Sequence, residues 1–84
     1  MCPAMQDFDK LIEELDRRIA FQREKVVNLG RRYVPYATPE DLRNSEDFPQ
    51  LKDKPGYHYE EGILAGLMES RFLLVTTRRR EDGA

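Results

Sequence analysis

The sequence predicts an all-α fold: an antiparallel helical hairpin with a long ordered connection, two such hairpins pairing into a four-helix bundle. Three observations lead there. First, Phe8, Ile12, Leu15, Ile19, Gln22, Val26, Leu29 and Tyr33 alternate in steps of four and three, which keeps one seam of a helix facing a partner helix. Second, a later segment from about Tyr57 to Val75 is apolar on two opposite sides, so it needs two neighbours, and the first helix supplies only one. Third, a lone chain of 84 residues forms one domain at most. Such a chain buries only roughly 60% of the surface its unfolded form exposes, and chains this small commonly add a metal, a staple or an oligomer.

The first helix is expected from about Phe8 to Val34, after a disordered start over residues 1–6. Asp7 is its N-cap candidate and Asp9 complements the dipole in its first turn. Pro35 stops it, because the residue before a proline is pushed out of the α region. Glu13 with Arg17 and Glu14 with Arg18 form i,i+4 pairs on its outer face, and Arg31 and Arg32 complement the dipole at its end. Gln22 interrupts the apolar seam. A polar seam residue either fixes register against its partner or meets water at a gap, and both readings stand at this point. Phe21 and Val27 widen the stripe beyond two positions per heptad, which favours a bundle over a two-stranded coil.

Residues 35–56 form the connection. Thr38-Pro39-Glu40-Asp41 is a helix start, with a threonine cap, proline at the first helical position and acidic residues behind it, for a turn ending near Arg43. Asn44 to Pro49 restarts the chain. Phe48 and Leu51 are the plugs expected to pin the connection to the bundle, and Asp53-Lys54-Pro55-Gly56 reads as a turn. The second helix is expected over 57–75, with a frayed tail over 76–84; residues 71–77 are β-prone enough to form a terminal strand instead. Tyr59, Gly62, Ile63, Gly66, Leu67, Ser70, Leu73 and Leu74 share one face of this helix, with Leu64, Met68, Phe72 and Val75 on the other side. Glycine in a helix interior costs ~1 kcal/mol against alanine, so Gly62 and Gly66 are expected in a tight helix–helix contact.

Composition bounds the function. Charged residues make up 36% of the chain, yet the net charge is only −2, so nothing attracts polyanions globally. No apolar run approaches a membrane span, and Met1 to Met5 has neither the basic nor the apolar region of a signal peptide; a cytoplasmic location is expected. The lone Cys2 permits no intramolecular disulfide and is expected to be inert near a frayed terminus. His58 is the only histidine. It pairs with Glu61 at i,i+3, but Glu13, Glu14, Asp16 and Glu24 of the first helix lie off its seam, so no metal site and no cofactor are expected. Tyr57-His58-Tyr59 is a candidate lining for a small pocket against Tyr33 and Tyr36 at the connected end. Ser45 and Ser70 have no nucleophile elbow around them, and no glycine-rich phosphate loop is present.

One stretch resembles a known enzyme family. Leu11 to Ile19, Leu-Ile-Glu-Glu-Leu-Asp-Arg-Arg-Ile, is similar to the opening of the first helix in small all-helical chorismate mutases. That resemblance implies a compact dimer with active sites built from arginines, a lysine and carboxylates on three helices. Asp9 stands where the family places an arginine, and no segment here offers the third helix. Nucleic-acid binding is a further class, through Arg17-Arg18, Arg31-Arg32 and Arg78-Arg79-Arg80. Glutamates one turn before the first pair, and Glu81-Asp82 after the triple, make these mixed runs read as solvated faces. The leading expectation is a non-enzymatic interaction module, an adaptor or regulatory subunit, that forms a homodimer or tetramer and binds another protein. Its expected interface residues are Ile12, Ile19, Val26, Leu29, Ile63, Gly66, Leu67 and Leu74.

Overall fold

The computed structural model describes the backbone of residues 4–83 and the side chains of residues 7–83; Cys2 lies outside that range. Two long helices, α1 (Ala4–Tyr33) and α4 (Pro55–Gly83), lie against each other as a hairpin. Between them run α2 (Pro39–Arg43), a 3-10 turn (Ser45–Asp47) and α3 (Pro49–Lys52). The described residues contain no strand, so residues 71–77 are helical despite their β propensity. Pairing with α1 overrides that propensity, as tertiary context commonly does.

Helix α1 begins at Ala4, ahead of the expected start, so Asp7 lies within the first turn and favours the dipole there instead of capping. It ends at Tyr33. The N–H of Val34 still bonds the carbonyl of Gly30 at 2.9 Å, and Pro35 then forces the chain away. The Arg31 guanidinium donates to the carbonyl of Ala37 at 2.9 Å, tying the reversal back onto the helix. Helix α2 starts on the expected capping box: Thr38 Oγ1 accepts from the N–H of Asp41, and the Asp41 carboxylate accepts from the N–H of Thr38. Pro55 opens α4, two residues before the expected Tyr57. That helix runs on to Gly83 instead of fraying after Val75. Its extension lies along the early turns of α1, where Arg78 meets Asp9.

The core sits at the connected end. Val26, Val34, Ala37, Leu42, Leu51 and Tyr57 form one buried cluster, with Val27, Leu29, Phe48 and Leu64 packed against it. Leu51 and Val34 are fully buried, so Leu51 plugs the connection as expected and Phe48 supports it half-buried. Tyr57 is the largest buried side chain. Its hydroxyl donates to the carbonyl of Leu42 at 3.4 Å, and burial, with Glu61 nearby, pushes the phenol up to about 12. Gly30 is the close approach that this packing requires. A Cβ there would lie 2.9 Å from Leu42 Cδ1 and 3.1 Å from Tyr57 Cε1. Away from this end the molecule thins. It measures 51 × 20 × 18 Å with a radius of gyration of 16.2 Å, against about 12 Å for a compact domain of this length.

Candidate interaction surface

The surface follows from how α1 and α4 share their seam. On α1 the heptad positions up to Leu29 behave as their spacing demands: Ile12, Ile19 and Val26 are buried, and Phe8, Leu15 and Leu29 are half-buried, whereas Tyr33, the last expected seam residue, is 40% exposed. On α4 the residues facing α1 are less apolar than the sequence suggests. Tyr57, Glu60, Leu64, Leu67, Arg71, Leu74 and Arg78 recur in steps of three and four, and each is buried or half-buried. This line falls between the two apolar sides read from the sequence, so each side is only partly used.

Polar groups set the register. Gln22 is 6% exposed, and its amide donates to the Glu60 carbonyl at 2.9 Å and to a Glu60 carboxylate oxygen at 2.7 Å. The register-fixing reading of Gln22 is therefore the one the geometry gives, because a slipped helix would bury that amide without partners. The same carboxylate receives Lys25 at 3.5 Å. Farther along, Arg71 bonds Asp16 at 2.5 Å and Arg78 bonds Asp9. These contacts run antiparallel, each a step farther from the connection.

Two flanks remain open on either side of the seam. On one, Phe21 of α1 faces Ile63 and Leu67 of α4 across a shallow hollow rimmed by Arg17 and Arg18. Phe21 is 70% exposed, and beyond it the outer face of α4 carries Tyr59 and Leu73 in the open. On the other flank, Val27, Leu64 and Met68 line a groove with Pro39 and Leu42, edged by Arg23, Arg43 and Glu61. Phe72, 66% exposed, lies farther along that side.

Among the expected interface residues, Ile12, Ile19, Val26, Leu29, Leu67 and Leu74 lie in or beside the seam. Ile63 and Gly66 do not. The expected tight contact at Gly62 and Gly66 is absent within the hairpin, since a Cβ at either would meet nothing within 4 Å. Gly30, which carried no such expectation, is the crowded glycine. Its signal was positional: it follows Val26 by one turn on the seam and stands opposite the aromatic Tyr57.

The tyrosine cluster does not converge on one pocket. Tyr57 is in the core, Tyr36 and Tyr59 face solvent, and Lys54 lies 5.0 Å above the Tyr33 ring. His58 instead ties the connection to α4. Its two ring nitrogens lie 3.1 Å from the Glu61 carboxylate and 3.2 Å from the Lys52 carbonyl, and the Glu61 contact raises its pKa. Among the described residues no three histidine, cysteine or acidic side chains gather where a metal ion could bind. No described helix is long and apolar enough to cross a membrane. Compared with protein-family models, with curated proteins and with solved structures, the chain matches none.

Proposed function

We propose that this chain is a non-enzymatic helical interaction module of the cytoplasm, which self-associates as paired hairpins in a four-helix bundle and in that form serves as an adaptor or regulatory subunit for another protein. One observation carries the reading: the hairpin leaves too much surface open for a finished monomer. It exposes 6198 Å², whereas a compact monomer of 9.9 kDa exposes about 5,200 Å². The difference, about 1,000 Å², is of the order that one partner contributes to a standard protein–protein interface, about 800 Å². Large apolar side chains hold much of what is open, including Phe21, Tyr59, Phe72 and Leu73.

The near-balanced charge, −2 overall, favours this reading over nucleic-acid binding, and several of the arginines are already engaged. Arg17 and Arg18 both bond Glu14, Arg71 bonds Asp16 and Arg78 bonds Asp9. Guanidiniums engaged by neighbouring carboxylates are poorly placed to collect phosphates. The test is solution mass by light scattering over roughly a hundredfold range of concentration. A dimer or tetramer that forms within the range supports the proposal. A folded monomer at every concentration overturns it, and filter binding with duplex and single-stranded nucleic acid then becomes the next assay.

A further inference from the structure

Of the two open flanks, one has a continuous uncharged stretch along α4, with Arg17 and Arg18 confined to its α1 rim. Tyr59, Gly62, Ile63, Gly66, Leu73 and Thr77 lie within one arc of α4 when the helix is projected at about 100° per residue. The charged residues of that stretch, Glu60, Glu61, Glu69 and Arg71, all project outside the arc. In a chain that is 36% charged, this is a long uncharged face on an exposed helix. Ser70 adds no unmet polar group, because its hydroxyl donates to the Gly66 carbonyl at 2.9 Å. Phe21 of α1 extends the apolar patch sideways across the Ile63–Leu67 hollow. The opposite flank is interrupted by Arg23, Arg43, Glu61 and Arg79.

The occupant follows from charge and area together. Along α4 the first half carries Glu60, Glu61 and Glu69 and no lysine or arginine, while the second is mixed, with Arg71, Arg78, Arg79 and Arg80 against Glu81 and Asp82; of these Glu60, Arg71 and Arg78 sit on the side that meets α1. A parallel copy would set acidic half against acidic half, whereas an antiparallel copy sets each acidic half against the mixed one. A two-fold axis gives both copies the same patch, and the hairpin's surplus of about 1,000 Å² is what such a self-complementary patch would cover.

We infer that the uncharged outer face of α4, extended by Phe21, docks on the same face of a second copy, with the two α4 helices antiparallel. This rests on the self-association proposed above and adds the face and the orientation. Gly62 and Gly66, open in the hairpin, then become the points where the two α4 backbones approach most closely.

The experiment uses the full chain carrying Cys2→Ser, nitroxide-labelled at Tyr59→Cys, at Thr77→Cys or at Phe72→Cys, with inter-copy distances from pulsed electron resonance. Solution mass is measured on the same samples. In an antiparallel pair centred on this face, labels at 59 and 77 lie close when one is on each copy. Label pairs at 59 and 59, or at 77 and 77, are then separated by about 27 Å along the axis, from a rise of 1.5 Å per residue. Short distances for both like pairs mean a parallel dimer and overturn the orientation. A dimer whose shortest distance is between Phe72→Cys labels overturns the face while leaving self-association standing. A monomer overturns both. As a second variant, Leu73→Glu places a charge on a side chain that is exposed in the hairpin, so helix content holds while association weakens ~30-fold or more, a hot-spot-sized loss. The matching Phe72→Glu leaves the dimer intact; if the two variants behave the other way round, the face is wrong.

Discussion

The two ends of this hairpin are held together by different physics. At the connected end, four elements converge on Tyr57, Leu51 and Val34, and the packing is close enough that a single Cβ at Gly30 would collide. At the open end only α1 and α4 meet. There Ile12 is buried beneath α4, and the contact is edged by Asp9–Arg78 and Asp16–Arg71. The first end is stabilised by burial, which needs no second molecule. The second relies on a thin apolar strip and on exposed ion pairs, which contribute little in water. Thus the connected end is equipped to hold the monomer's fold, and the open end has the least burial of its own.

Substitutions can break that comparison, the largest effect first. Leu51→Ala removes a fully buried side chain from the connected end and should cost about 2–5 kcal/mol, with thermal unfolding well below the parent's. Leu73→Ala, on the outer face, should change the dilute monomer's stability by roughly 0.5 kcal/mol at most. Comparable losses from the two in chemical denaturation would show that the ends do not differ. Gly30→Val comes next, about 1–3 kcal/mol destabilising, because the added methyls must displace Leu42 and Tyr57. Denaturant titration reads it, and a neutral result would mean that the Leu42 side chain yields freely.

Gln22→Ala sits at the boundary between the two ends. Losing its bonds to the Glu60 carbonyl and carboxylate should cost about 1–2 kcal/mol. It should also broaden the amide spectrum, as register becomes less exclusive. Sharp single resonances would deny Gln22 a register role. The smallest effect is a pH dependence. The folded pKa of His58 is raised above its ordinary value by Glu61 and by the Lys52 carbonyl. Its contribution is therefore complete below about pH 6.5, the unfolded value, and fades as pH rises through the higher folded value. Melting temperature followed from pH 5 to 9 should carry this small decline, and His58→Gln should remove it.

How much of this was legible in the sequence differs between the two long helices. In α1 the seam was readable because Ile12, Ile19 and Val26 are apolar at heptad spacing, with Phe21 and Val27 only widening the stripe. The Thr38–Asp41 capping box was equally plain, since its chemistry is local. In α4 the seam was hidden because Glu60, Arg71 and Arg78 occupy it. Long charged side chains lay their stems along apolar surface while their heads reach out to partners, so hydropathy misplaces them. A usable signal did exist. Asp9 and Asp16 are one heptad apart on α1, and so are Arg71 and Arg78 on α4, so both pairs can form at once when the connection folds the helices into a hairpin. The length of α4 was missed for the same reason, because Arg78 reads as part of a charged tail until Asp9 is seen beside it. The repeat of Gly62 and Gly66 points to a tight contact that the hairpin does not make, whereas the crowded glycine, Gly30, is isolated in a long amphipathic helix.

The concentration of the core at one end also has a kinetic side. The turn at Val34, the capped α2 and the start of α4 are close in sequence, so their contacts close short loops, which form quickly. Contacts such as Asp9 with Arg78 span most of the chain and gain favourable energy only once the helices are already aligned. Folding should therefore begin around Tyr57 and Leu42 and zip outward past Gln22 toward the termini. Substitutions at Leu51 would then slow folding, while those at Ile12 would mainly speed unfolding, a difference that stopped-flow chevrons resolve.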